Sequence, residues 1–302
     1  SPSGVHNTYI GYRSGYGGTG DTGSYNTAVG FETLTSIDDG GSNSVLGWKA
    51  GINITSGGSN VCIGYESGAS VTTGSQGVYI GYECCGSGSG AITGGNNVVI
   101  GNTAGYNMAT TAANNVIVGE TAGHSITTGQ NDILIGHDAG ISGSPGGAVT
   151  SGSSDICLGD NDIDTASIKV DWTVTSDKRD KTDVKDLDLG LEFINKLNPV
   201  TFYWDERCNY GDKYADDYDL NAQTPDGTHK GDRMEVGFLA QDVADIEELY
   251  DYKLSEKTSL VTSLTKDGKQ YGTRYAKFVP MLVNAVQELS QQVEDLKKQI
   301  NK

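Results

Sequence analysis

NTYIG at residues 7–11, NTAVG at 26–30, NSVLG at 43–47, NVCIG at 60–64, GVYIG at 77–81, NVVIG at 97–101, NVIVG at 115–119, DILIG at 132–136 and DICLG at 155–159 are nine copies of one five-residue phrase. Their closing glycines are spaced 19, 17, 17, 17, 20, 18, 17 and 23 residues apart. A period that short, with one β-prone phrase followed by Ala-Gly and Thr-Gly turns, holds about one coil of a β-solenoid and leaves no room for helix pairs. Side chains alternate along a strand, so the second and fourth residues of each phrase share a face. The fourth is always Ile, Val or Leu (Ile10, Val29, Leu46, Ile63, Ile80, Ile100, Val118, Ile135, Leu158), which predicts that this column lines the coil interior. The third position then faces outward, and it holds Tyr9, Ala28, Val45, Cys62, Tyr79, Val99, Ile117, Leu134 and Cys157. An exposed column that apolar needs a cover, and a homotrimer of side-by-side solenoids supplies one.

Outside the phrases the chain changes character near residue 175. Of the 43 glycines in its 302 residues, 36 precede residue 176, whereas only 3 of the 21 Lys and Arg do. Two architectures share the polypeptide: a β-solenoid shaft over 1–165 with a junction strand over 166–175, then a small α+β domain over 176–302 whose residues 278–302 form a coiled-coil helix. The net charge of −18 argues against nucleic acid or an anionic membrane surface as partner. No run of about 18 apolar residues occurs and the start, SPSGVHNTY, has no signal-peptide pattern, so neither membrane insertion nor a secretory leader is expected. The absence of an initiator Met reads as a fragment of something longer. Five cysteines (Cys62, Cys84, Cys85, Cys157, Cys208) without a CxxC pair read as free thiols made in a reducing cytoplasm.

After each closing glycine stands Tyr12, Phe31, Trp48, Tyr65 or Tyr82 in the first five copies, then Asn102, Glu120, His137 and Asp160. Stacking between successive coils is the simpler reading of this aromatic ladder, and contact with sugar rings of a host glycan is the functional one. Asp160, Asp162, Asp164 and Asp171 alternate like calcium ligands, but Thr165 stands where a sharp-turn glycine is needed and no Glu closes the loop, so a solvated acidic turn is expected. His6, His124, His137 and His229 show no metal-ligand spacing. No metal and no cofactor are expected.

The phrases resemble the head repeats of trimeric autotransporter adhesins from residue 7 to about 160, NSVLGWKAG being the nearest copy, although the coils here are longer. The C-terminal segment resembles the intramolecular chaperone domain of phage tail spikes and fibres, the peptidase S74 family. Four blocks carry this resemblance in order: SDKRDKTDV at 176–184, LEFINKLNPVTFYW at 191–204, VGFLAQDV at 236–243 and RYAKFVPMLVNAVQELSQQVEDLKKQI at 274–300. It implies a domain that trimerises the fibre upstream and then cuts itself off between Thr175 and Ser176, with Ser176 and Lys181 as a Ser-Lys dyad. A Ser hydroxyl attacks only when a base takes its proton, and a Lys is that base only when burial or nearby cations lower its pKa. Lys178 and Arg179 crowd the same segment, while Asp177 reads as a cap.

Further along, Leu187 to Leu197 reads as an amphipathic helix ended by Asn198-Pro199, VTFYW as a strand, and MEVGFLAQDV as a strand turning into a helix. Residues 205–233 read as a polar loop without identifiable chemistry, and Phe202, Trp204 and Phe238 as core aromatics. Leu282, Val286, Leu289, Val293, Leu296 and Ile300 are spaced as a coiled-coil seam; its Val and Leu positions alone lean towards two strands, so a trimer is the family's implication. Together these readings describe the distal part of a virion tail fibre or spike, made in the host cytoplasm. It would attach to a host surface glycan or protein and join upstream fibre or baseplate parts. The alternatives are a bacterial trimeric surface adhesin, a non-cleaving trimerisation domain on a polysaccharide-binding fibre, and a polysaccharide-degrading fibre. The last lacks paired carboxylates, since Glu32, Glu66, Glu83 and Glu120 lie in separate coils.

Overall fold

In a computed structural model, which describes residues 4–17, 21–86, 90–152, 154–163, 165–213, 215 and 217–301, the nine phrases form nine three-residue strands. These are β1 (Thr8–Ile10), β2 (Thr27–Val29), β3 (Ser44–Leu46), β4 (Val61–Ile63), β5 (Val78–Ile80), β6 (Val98–Ile100), β7 (Val116–Val118), β8 (Ile133–Ile135) and β9 (Ile156–Leu158). Each pairs in parallel with the next at equivalent positions, so one sheet runs β1 to β9 along a β-solenoid. At Gly30 the backbone has φ +141°, and a Cβ there would stand 1.8 Å from the Gly47 carbonyl oxygen of the following coil. Only glycine lets the coils approach that closely.

The facing of the strands is opposite to the expectation. Third-position residues line the interior: Ala28, Cys62, Tyr79, Val99, Ile117 and Leu134 are wholly buried, and Val45 and Cys157 nearly so. The fourth-position column points outward, with Ile10 at 58 %, Leu46 at 51 % and Leu158 at 55 % exposure. The first residue of each phrase decides this. Asn26, Asn43, Asn60, Asn97 and Asn115 are fully buried. The Asn43 side chain donates to the Gly57 carbonyl at 3.0 Å, and its Oδ1 accepts from the Asn60 backbone N–H at 3.0 Å. Asn60 repeats the pattern with Gly74 and Gly77. Buried carbonyls must be satisfied, so the asparagine turns inward and the two-residue period takes the third position with it. In β5 the ladder is broken by Gly77, whose missing side chain makes room for the ring of Tyr79: a Cβ would lie 2.5 Å from the Tyr79 hydroxyl.

The chain divides into two compact units, Ser1–Asp164 with Arg207–Thr224, and Thr165–Glu206 with Pro225–Lys302. The polar stretch read as a featureless loop therefore splits, and its residues 207–224 pack with the solenoid. Residues 166–175 form no strand and are exposed, having no partner strand in a single chain.

In the second unit α1 (Leu191–Lys196) begins four residues later than Leu187, after Gly190. Leu191 N–H is capped by Glu288 Oε2 at 2.9 Å, an acceptor from the far end of the sequence. β10 (Val200–Phe202) pairs antiparallel with β11 (Glu235–Gly237), which leads into α2 (Ala240–Glu248). A hairpin that the sequence reading missed, β12 (Thr262–Leu264) with β13 (Tyr271–Thr273), precedes α3 (Phe278–Ile300). Leu189, Phe193, Val243, Val261, Phe278 and Met281 form the core. Phe202 and Phe238 are half-buried, whereas Trp204 is 59 % exposed and is not a core residue of the single chain.

Candidate functional site

Ser176 and Lys181 flank one 3-10 turn, Lys178–Asp180. Asp177 caps it, accepting the Arg179 backbone N–H at 2.9 Å, and also grips the Arg179 guanidinium, with Nη2 at 2.6 Å and Nε at 3.1 Å. These bonds hold the Asp177 carboxyl below the usual carboxylate range. Arg179 is thereby paired, so its charge is not free to act on Lys181. The turn brings the two ends together: Lys181 Nζ donates to Ser176 Oγ at 2.5 Å. Both residues are exposed in the single chain. So are the apolar residues on either side, Val170, Trp172, Val174 and Val184, each more than 70 % exposed. A lysine base needs low-dielectric surroundings, and these apolar side chains supply them only when something covers the segment.

The aromatic ladder stacks on itself. Ring centroids are 5.2 Å apart from Tyr12 to Phe31, 6.1 Å to Trp48, 4.5 Å to Tyr65 and 5.0 Å to Tyr82, all nearly parallel. Ring faces are therefore largely taken by neighbours, leaving the edges to solvent. The seam residues Leu282, Val286, Leu289, Val293, Leu296 and Ile300 all lie on α3 and are all 41–82 % exposed, while Phe278, Met281 and Ala285 anchor the helix in the core.

Two groups escaped the sequence reading. Glu247 on α2 is fully buried, and its carboxylate accepts from the backbone N–H groups of Leu260, Val261 and Thr262 at 2.7, 2.8 and 3.0 Å, from Ser259 Oγ at 3.0 Å and from Thr262 Oγ1. Burial pushes its carboxyl up, but the donors outweigh this and hold it below the usual range. Nothing local in DIEELYDY distinguishes it from Glu248, because its partners lie 12 to 15 residues on. Further, His137 Nδ1 lies 2.8 Å from Asp160 Oδ2 and 3.6 Å from Asp138 Oδ2. The histidine lies at the surface, half exposed, with two carboxylates beside it. Their ligand atoms lie within 4.8 Å of one another, yet Lys213 Nζ stands 2.6 Å from Asp138 Oδ2 and already supplies a cation. Of the acidic turn, Asp160 accepts the Asp162 N–H at 3.0 Å, and Asp164 lies outside the described residues.

Residues 176–256 match the model of the family Peptidase_S74, described as chaperone of endosialidase. The match begins at Ser176 itself. No curated protein and no solved structure matches the chain. A β-solenoid followed by a segment that matches a chaperone-of-endosialidase model fits a fibre with a C-terminal chaperone. Among the described residues no helix is long and apolar enough to cross a membrane.

Proposed function

We propose that this chain is the distal part of a phage tail fibre or spike, and that its C-terminal domain assembles the shaft as a homotrimer and then severs itself between Thr175 and Ser176. The contact of Lys181 Nζ with Ser176 Oγ, at the residue where the family match begins, carries the reading. Neutral Lys181 takes the Ser176 proton as Oγ attacks the Thr175 carbonyl carbon. The C–N bond breaks, the Ser176 amine leaves with a proton from Lys181, and an ester joins Thr175 to Oγ. Water then hydrolyses the ester, giving the Thr175 carboxylate and restoring the hydroxyl.

Two exposed apolar surfaces favour assembly of identical copies. None of the eighteen second- and fourth-position residues of the solenoid phrases is charged, in a chain of net charge −18, and the α3 seam lies open. Assembly that covered the dyad's apolar flanks would make the cut wait for the assembled state. The mature shaft would attach the particle to a host surface glycan or protein. Intact mass and denaturing gels of wild type beside Ser176→Ala and Lys181→Ala, with light scattering for stoichiometry, test the reading. Fragments meeting at Thr175/Ser176 in wild type alone, from a trimer, are the expected result. A wild-type chain that stays whole as a trimer would leave a permanently fused fibre, and a monomer would remove the chaperone role.

A further inference from the structure

The second residue after each closing glycine repeats one conformation. Arg13, Glu32, Lys49, Glu66, Glu83, Thr103 and Thr121 all have φ between 47° and 53°, and none is buried. Asp138, the equivalent in the eighth coil, has φ 55°, yet its side chain is only 1 % exposed. Its backbone is ordinary for the position, so its burial comes from what sits on it.

What sits on it is the stretch 207–224, which belongs to the solenoid's compact unit although it lies beyond Ser176 in the chain. Lys213 Nζ meets Asp138 Oδ2 at 2.6 Å, and Thr121 Oγ1 donates to Asp138 Oδ1. His137 bridges to Asp160 on the ninth coil. Asn161 donates to the Gly143 carbonyl and to Cys208 Sγ, the latter at 3.1 Å. Gly143 permits this approach: a Cβ there would lie 2.5 Å from Cys208 Cβ. Repeat arrays need an atypical element to close their last coil, since the final interior has no further repeat to cover it. Here that element comes from the far side of the cut.

We infer that residues 207–224 are the C-terminal cap of the solenoid, and that they keep the chaperone half latched to the shaft after the chain is severed at Thr175–Ser176. Removing Lys213 would leave a buried Asp138 carboxylate without its ammonium partner, which raises the rate of separation. The inference rests on the proposed cut only for its biological consequence.

The test therefore makes the cut by other means. A full-length Ser176→Ala chain carries a site-specific protease sequence within the exposed residues 166–175, is cut by added protease, and is sized under native conditions in about 0.1 M salt. The two halves should co-elute. Lys213→Ala should hasten their separation at least about tenfold, while Lys213→Arg keeps them together. Unchanged circular dichroism of the uncut Lys213→Ala chain excludes misfolding as the cause; should that variant misfold, the Asp138→Lys/Lys213→Asp exchange takes its place and must restore co-elution. Halves that part at once in the otherwise native sequence, or that stay as tightly joined in Lys213→Ala, overturn the latch. Failure of the unmodified chain to cut itself would sink the dyad and leave this result standing.

Discussion

The solenoid interior and the α3 seam are both columns of apolar side chains, yet one chain closes only the first. Each coil's third-position residue is covered by the same chain's turns, and the asparagine ladder satisfies the backbone around it. The seam residues, from Leu282 to Ile300, stay 41–82 % exposed in the single chain. The difference teaches where stability is intramolecular and where apolar surface stays open in the single chain. It also separates the effects that substitutions should have.

The largest effect lies within one strand. Val99→Asp puts a charge into the closed interior and should cost about 3–5 kcal/mol, read as loss of the cooperative thermal transition. Ile100→Asp, one residue on and facing out, should leave a folded chain but abolish trimer by light scattering. If both variants unfold alike, the inward and outward columns are not distinct. Next comes Glu247→Gln, which weakens the charge-assisted bonds to three backbone N–H groups and two hydroxyls and should cost about 3 kcal/mol of the second unit's stability in denaturant. The sign with pH follows from its lowered folded pKa: the contribution is complete above the ordinary value of 4.5 and is lost as pH falls through the folded value. Acid unfolding of wild type and Glu247→Gln should therefore converge at low pH.

Smaller effects sharpen the comparison at the solenoid surface. Trp48→Ala removes two ring contacts and the Lys49 ammonium 4.3 Å from its ring, and should lower stability by about 0.5–1.5 kcal/mol in thermal melts. Glycan-array binding that falls in the same variant would give the ladder a second role. The least effect belongs to His137, half exposed, whose bond to Asp160 raises its pKa, helped by Asp138 and opposed by burial and Lys213. Its contribution is complete below the ordinary value near 6.5 and fades as pH rises through the folded value. Wild type and His137→Ala should then differ more at pH 6 than at pH 9.

Much of this was legible in the residues. The nine phrases specify a parallel β-solenoid because a short recurring strand can bury its face only against its own copies. The break in glycine and lysine content marks the second architecture, and the spacing of Ser176 and Lys181 suits one short turn. The 4-3-4-3-4 spacing of the seam marks its exposed face on α3. Asp177 capping the turn is a local matter, settled by neighbours two residues away.

What the residues left undecided was decided over distance. With apolar side chains at the third and fourth positions alike, hydrophobicity cannot say which points inward; the buried asparagine, bonded to a carbonyl 14 residues on, does. Glu247 is caged only because the chain folds back at residues 259–262, and Leu191 begins a helix because Glu288 on α3 accepts its N–H. The stretch 207–224, sequence-distant from the solenoid, joins it because a buried Asp138 finds a cation there. Periodicity and local polarity are properties of the chain; which face is sealed, and which distant group completes a buried charge, exist only once the chain has closed on itself.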